Sequence, residues 1–140
     1  MTCSRRSRLT LALYRTCVAG RLPTGPDWVF EVKFDGYRAI AVKSSGKLNL
    51  LSRRRNSFNR QYSQVFDALA DLPDNTVIDG EVVALNESGR PDFNLLQRYR
   101  AEALRIHYFV FDLLVYNSRD LTQLPLVERR QIMKSVLKST

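Results

Sequence analysis

The chain has 140 residues, of which 44% are hydrophobic and 26% are charged, so it can form one domain with a core and is neither collagen-like nor low-complexity. Its formal charge is +8, from 22 basic and 14 acidic residues, which favours a polyanionic partner over the alternative of a merely basic surface. Two cysteines and one histidine argue against a cysteine–histidine metal site, and no apolar run approaches the ~20 residues that span a bilayer.

Residues 1–21 have weak periodicity and are expected to form a separate segment, either loose or a short helix. Both cysteines, Cys3 and Cys17, lie in it, so a structural disulfide is not expected and a reducing compartment fits best. An export signal is not supported, because Arg15 interrupts the short apolar stretch that follows the first arginines. A Pro- and Gly-rich breaker then places the start of the folded unit near Asp27.

The rest of the chain is predicted to alternate strands and short helices. Strands are predicted at 28–34, 38–43, 47–52, 76–85 and 106–115. Helices are predicted at 62–69, after Asp92 as a cap, and after Pro125, with Leu126, Met133, Val136 and Leu137 on the inner side of the last one. Turn residues join neighbouring strands as hairpins, so the predicted fold class is α+β, with largely antiparallel sheets and helices packed outside.

The first predicted strand carries a lysine between two carboxylates. Glu31, Lys33 and Asp35 share one face by alternation, and Gly36 follows at once. A lysine becomes a nucleophile only when it loses its proton, which burial or a nearby cation favours. Glycine lets a ligand approach closely, and Arg38 on the next strand can contact phosphate or ribose. The alternative is an ordinary surface pair of Lys33 and Asp35.

A second pair of carboxylates lies on the predicted strand 76–85. Asp79 and Glu81 share one face of this strand, which is a hard-oxygen arrangement suited to Mg²⁺. Such an ion would neutralise phosphate charge and help to deprotonate a lysine. The alternative is an exposed acidic strand edge that prevents aggregation, and this pair taken alone favours that alternative.

Aromatic and basic side chains complete the pattern. Phe109 and Phe111 share a face of the strand nearest the C-terminus, and an aromatic ring there can stack on a purine base, although core packing is the commoner reason for a ring. Arg53, Arg54 and Arg55 follow the third predicted strand. They can hold DNA phosphates, or they form a solvated basic loop.

In this order and spacing, the motifs resemble the nucleotidyltransferase (adenylation) domain of ATP-dependent DNA ligases. The closest likeness is to the ligase domain of bacterial non-homologous end-joining ligases. The resemblance runs from residue 22 to the C-terminus, and the segments that carry it are EVKFDGYR (31–38), LSR (51–53), IDGEVV (78–83), RPDFNLLQ (90–97), YFVFDLL (108–114) and LPLVERR (124–130). It implies part of an ATP-grasp-like adenylation domain over 22–140.

The resemblance implies an enzyme that uses ATP and Mg²⁺ (or Mn²⁺) and acts on nicked or broken double-stranded DNA. Lys33 would form a covalent lysyl-AMP, the AMP would pass to a DNA 5′-phosphate, and a 3′-hydroxyl would then seal the strand. The implied roles are nucleotide contact for Glu31, Lys33, Arg38, Glu81 and Phe111, metal binding for Asp35, Asp79 and Glu81, and DNA contact for Arg53, Arg54 and Arg55.

Further expectations concern the setting of the protein. End-joining repair proteins are expected partners of a monomer that has no membrane association and works in the bacterial cytoplasm at the nucleoid. The family's later motifs and its OB-fold domain would lie beyond Thr140, so the chain is interpreted as a fragment with weak or no ligase activity alone. Two alternatives stay open: an RNA ligase or capping-type nucleotidyltransferase, and an inactive basic fragment that only binds nucleic acid.

Overall fold

The computed structural model describes residues 33–98 and 105–138. The strands in these ranges are β1 (Tyr37–Ser44), β2 (Lys47–Ser52), β3 (Thr76–Leu85), β4 (Arg105–Tyr116) and β5 (Arg119–Asp120). The helices are α1 (Ser63–Ala68), α2 (Phe93–Gln97) and α3 (Leu126–Lys138). The strands form one antiparallel sheet in the order β2-β1-β3-β4-β5. The predicted α+β class with antiparallel strands is confirmed.

The hydrophobic core lies between one face of the sheet and the helices. Alternate residues of the central strands point into it, because successive side chains of a strand face opposite sides. Its fully buried members include Ala39, Ala41, Leu50, Tyr62, Ile78, Val82, Ala84, Leu96 and Leu113. Helix α3 adds Met133 and Val136, as predicted, and Leu137 packs at the margin. Leu126 was predicted to be on the same inner side but is 39% exposed, since the first turn of α3 instead directs Arg129 towards β4.

The segment before β1 differs from the prediction. A strand was predicted at 28–34, but Lys33, Phe34 and Asp35 have no strand structure, and residues 28–32 lie outside the described ranges. At Gly36, the backbone N–H donates a hydrogen bond to the Glu81 carboxylate of β3, whereas in a paired strand it would donate to a carbonyl oxygen. Glu31, Lys33 and Asp35 were predicted to share one face of a strand. Lys33 and Asp35, the two of them that the structure describes, do not lie on a strand. The segment 1–21 and Glu31 also lie outside the described residues.

Strand β4 is irregular where it passes β3. Gly80 pairs with Val110, but its neighbour Asp79 pairs with Asp112. Phe111 is therefore an extra residue of β4, as in a β-bulge, which bends the strand and changes its side-chain alternation. A Cβ atom on Gly80 would lie 2.6 Å from the carbonyl oxygen of Phe109, so a glycine is required for β4 to approach this closely.

Candidate active site

Arg38 lies on the sheet face opposite the core and binds Asp79 through two hydrogen bonds. Its Nε donates to Oδ1 of Asp79 at 3.1 Å, and its Nη2 donates to Oδ2 at 2.6 Å. The ring of Phe111 lies against the guanidinium group, 5.0 Å from Cζ to the ring centroid, within the range of a cation–π interaction. The hydrogen bond that Arg38 donates to Asp79 is the main cause that raises the pKa of Arg38, so this cation is permanent.

Glu81 links β3 to the segment before β1 by a hydrogen bond. Its Oε1 accepts a hydrogen bond of 3.0 Å from the backbone N–H of Gly36. A Cβ atom at Gly36 would lie 2.2 Å from the carbonyl oxygen of Val82, so only glycine allows this approach. Burial raises the pKa of Glu81, although the Gly36 hydrogen bond and the positive charges of Arg38 and Lys33 act against this rise. The carboxylate therefore lies in the field of both cations.

Lys33 and Asp35 are both exposed, on either side of a packed ring. Between them, Phe34 stacks on Phe109 with the ring centroids 4.1 Å apart and an interplanar angle of 12°. Phe109 is paired across the strands with Glu81, so the stack holds the lysine segment beside the carboxylate. Phe109 therefore packs against a protein ring, and Lys33 is not enclosed by an apolar wall.

The predicted metal ligands are arranged differently from a metal cage. Both carboxylate oxygens of Asp79 accept hydrogen bonds from Arg38, whereas Asp35 is exposed before β1. Within residues 33–98 and 105–138, no group of three His, Cys, Asp or Glu side chains could hold a metal ion. Mg²⁺ is usually bound by one or two carboxylates together with substrate phosphates. The residues present do not fit a site in which Asp79, Asp35 and Glu81 together bind the ion.

The basic loop follows β2 at the same end of the sheet. Ser52 pairs with Ala39, so the chain leaves the sheet next to Arg38. A tight turn follows, in which the backbone N–H of Arg55 donates to the carbonyl of Ser52 at 2.8 Å and Arg55 has a φ of 63°. Arg53, Arg54 and Arg55 are all exposed, as expected for residues that would contact an external polyanion.

Two arginines of α3 were not among the predicted site residues. Arg129 donates from Nε and Nη2 to the two oxygens of Asp112, each at 2.8 Å. Arg130 donates from Nε to the carbonyl oxygen of Phe111 at 3.3 Å. The available signal is their position in the LPLVERR segment, which predicts a helix start but does not indicate a site residue. The sequence did not indicate which strand they contact.

The face opposite the core thus combines a lysine, a fixed arginine, a partly buried glutamate and aromatic rings, with a basic loop at the same end of the sheet. Groups of these kinds can contact a nucleotide and its phosphates, so this face is the candidate active site. No helix in the described part of the chain is long and apolar enough to cross a membrane.

Comparison with known proteins identifies the family. The family model described as the ATP dependent DNA ligase domain matches residues 12–140, so the chain belongs to the ATP-dependent DNA ligase domain family. The multifunctional non-homologous end joining protein LigD of Mycolicibacterium smegmatis is 38% identical over 110 residues, which are 78% of this chain and 14% of that protein. The SPbeta prophage-derived DNA ligase-like protein LigB of Bacillus subtilis is 33% identical over 113 residues, 79% of this chain and 41% of that one.

Solved structures agree with this assignment. The ligase domain from M. tuberculosis LigD superposes with a TM-score of 0.69 at 31% identity, covering 79% of this chain and 37% of that one. A mycobacterial DNA ligase D complexed with ATP and MES also has a TM-score of 0.69, at 32% identity, and the match covers 79% of this chain and 36% of that one. The resemblance to the end-joining ligases is confirmed, and the chain spans less than half the length of each of these relatives.

Proposed function

We propose that the chain carries the first part of the adenylation domain of an ATP-dependent DNA ligase, occupying 22–140, and that Lys33 is its nucleophile. The observation that carries the proposal is the arrangement around Glu81. This carboxylate accepts a hydrogen bond from Gly36, and its ionisation responds to the charges of Lys33, Asp35 and Arg38. The residues of the KxDGxR segment and the glutamate of β3 therefore share one electrostatic environment.

In the proposed first step, the unprotonated Nζ of Lys33 attacks the α-phosphorus of ATP. A P–N bond forms, the P–O bond to the β-phosphate breaks with its electron pair going to pyrophosphate, and the amine releases its proton. An oxygen of a DNA 5′-phosphate then attacks the phosphorus of the lysyl-AMP, so a P–O bond forms, the P–N bond breaks and Lys33 recovers its amine. A 3′-hydroxyl next attacks the activated 5′-phosphorus, loses its proton, forms the new phosphodiester bond and releases AMP. Such phosphoryl transfers depend mostly on positioning and on electrostatic stabilisation.

The proposed contacts to the nucleotide involve side chains on the sheet face that carries Arg38. Arg38 is held by Asp79 through only part of its donor fork, so it keeps further N–H groups for ribose or phosphate oxygens. One face of the Phe111 ring lies against Arg38, and we assign the adenine to the opposite face. Glu81 is assigned to the ribose, and Glu31, which lies outside the described residues, is assigned to the adenine amino group.

ATP is the proposed cofactor, together with Mg²⁺ or Mn²⁺. The nucleotide supplies the phosphate oxygens that Mg²⁺ requires, and one or two protein carboxylates complete such sites. We assign Glu81 and Asp35 as these carboxylates. Asp79 would contribute to metal binding only indirectly, because Arg38 already donates hydrogen bonds to both of its oxygens. The ion would neutralise phosphate charge when bound.

Nicked or broken double-stranded DNA is the proposed substrate. Arg53 is assigned to the 5′-phosphate of the nick, and Arg54 and Arg55 to neighbouring phosphates, because the three side chains are exposed beside the Arg38 end of β1. A DNA substrate would place the protein in the bacterial cytoplasm at the nucleoid. We propose a monomer that works with end-joining repair proteins.

The test is covalent labelling of the whole chain with α-labelled ATP or GTP in Mg²⁺ or Mn²⁺, followed over hours. Wild-type protein should retain label from ATP through alkali and lose it in acid, as a P–N bond requires. Lys33→Ala should abolish the labelling. Lys47→Ala, which removes an exposed lysine of β2, should leave it unchanged.

The other outcomes identify the alternatives. Labelling by GTP only would indicate a capping-type nucleotidyltransferase, and transfer of AMP to RNA ends but not to DNA ends would indicate an RNA ligase. Absence of label, together with DNA binding that Lys33→Ala does not change, would mean that the chain is a basic fragment that only binds nucleic acid.

A further inference from the structure

The orientation of Phe111 depends on an irregular part of β4. Phe111 has no partner in the β3 register, because the pairing passes from Val110 directly to Asp112. Regular strand pairing therefore does not fix its backbone, and a bulge of this kind can direct a side chain to a new position. Something other than the β3 ladder must hold the residue whose ring lies against Arg38.

The first support comes from Arg129. Its two-point bond to Asp112 is largely shielded from water, with side-chain exposures of 15% for Arg129 and 16% for Asp112, and planar forks of this type restrict geometry as well as adding energy. Its Nη1 also donates to the carbonyl of Leu124 at 2.6 Å. One guanidinium group thus ties the chain before α3 to the residue that follows Phe111.

The second support comes from the next residue of the helix. Arg130 donates from Nε to the carbonyl oxygen of Phe111 itself at 3.3 Å. Two consecutive arginines of α3 therefore hold two consecutive residues of β4, on either side of the peptide bond where the register slips. The contact joins the helix to the backbone of Phe111 and does not involve its ring.

We infer that Arg129 and Arg130 are positioning residues for the nucleotide base, because they hold the β4 bulge in the conformation that turns Phe111 towards the site. They act through Phe111 and touch no substrate themselves. The inference rests on the proposed function, in which Phe111 stacks on adenine. It adds that the base site is set by α3, whose arginines were not among the predicted site residues.

The test compares the binding of ATP with that of tripolyphosphate, which carries the phosphates without a base. Both dissociation constants are measured by calorimetry on the whole chain. Arg130→Gln should weaken ATP binding about two- to tenfold, the effect of one hydrogen bond, and leave tripolyphosphate binding unchanged. Lys134→Gln removes the same charge from an exposed position on the same helix and should change neither constant.

A double-mutant cycle separates positioning from a general structural effect. In a Phe111→Leu background, Arg130→Gln should weaken ATP binding no further, since there is no ring left to position. Arg129→Lys keeps the charge but loses the two-point bond, and it should show the same base-specific loss. Arg130→Gln leaves the Arg129–Asp112 pair intact, so its folding, checked by circular dichroism, should be preserved.

Several results would overturn the inference. Equal weakening of ATP and tripolyphosphate, no weakening of either, or an effect that persists in the Phe111→Leu background would each exclude positioning through Phe111. If wild-type protein binds ATP no more tightly than tripolyphosphate, the base site of the proposed function fails and the inference fails with it. A wild-type preference for ATP that Arg130→Gln does not alter would remove the inference alone.

Discussion

Arg38 and Asp79 form a diagonal ion pair across β1 and β3. The register pairs Arg38 with Glu81 and pairs Ile40 with Asp79, yet the guanidinium group reaches past its direct neighbour to bind both oxygens of Asp79. The side chain of Asp79 is only 6% exposed, against 29% for Arg38. The geometry leaves Glu81 available to Gly36, so the two carboxylates of the DGE motif have different partners.

The ion pair predicts a large cost when one partner is removed. Arg38→Met would leave the buried Asp79 carboxylate without its cation, and we expect a loss of about 3–5 kcal/mol in the free energy of unfolding, measured with urea. The paired change Arg38→Met with Asp79→Leu removes both charges and should recover most of that loss. If the single and double variants are equally unstable, the pair does not contribute through its charges.

The close approach at Gly36 predicts a steric effect. Gly36→Ala would bring a Cβ atom to 2.2 Å from the carbonyl oxygen of Val82, and the backbone shift needed to relieve the clash should cost about 1–3 kcal/mol. The same shift would lengthen the Gly36–Glu81 hydrogen bond. The measurement is urea unfolding monitored by circular dichroism.

A matched substitution tests whether the clash is the cause. Gly46 lies in a turn with a φ of +72° and open space where its Cβ atom would be, and asparagine tolerates such a conformation. Gly46→Asn should therefore change stability by less than about 0.5 kcal/mol. A loss at Gly36 no greater than this would contradict the steric argument.

Glu81 predicts a specific pH dependence of stability. Burial raises its pKa in the folded protein above the ordinary value of 4.5, so between those two values the folded state holds more protons than the unfolded state. The contribution of Glu81 to stability is therefore present at low pH and decreases as the pH rises through this window.

The test of the pH effect compares Glu81→Gln with wild type across acidic to neutral pH. Glutamine keeps an oxygen for the Gly36 N–H but does not ionise, so the unfolding free energy of the variant relative to wild type should rise as the pH rises above 4.5. Glu87→Gln, in an exposed turn, controls for loss of a negative charge. A pH-independent difference at Glu81 would show that its burial does not affect stability.

The basic loop predicts the salt dependence of DNA binding. If Arg53, Arg54 and Arg55 contact phosphates, each change to alanine should reduce the slope of log K against log salt concentration by about 0.9. Arg119→Ala removes an exposed arginine of β5, at the opposite edge of the sheet, and should leave the slope unchanged. The slopes are measured by fluorescence anisotropy with nicked duplex DNA, and equal slopes for all variants would place the DNA elsewhere.

Much of the local structure was predictable because its signals are local. Alternating apolar residues marked β1 to β4 to within a residue or so of each end. Asp92 was predicted to cap a short helix, and it accepts hydrogen bonds from the backbone N–H groups of Asn94 and Leu95. The order and spacing of the motifs over residues 31–130 also indicated the family, since both can be read directly from the sequence.

The sequence by itself determined strands β1 to β4 and their turns, because these depend on residues close together in the chain, and it indicated the family through the order of the motifs. Only the tertiary structure decided which carboxylate binds Arg38, where β4 slips against β3, and that Arg129 binds Asp112 while Arg130 binds the carbonyl oxygen of Phe111. Those features depend on the register between strands that are far apart in sequence and on the close approach that Gly80 permits. Side-chain periodicity carries no information about strand register or about this close approach. The residue that binds each functional group can therefore be identified only from the assembled sheet.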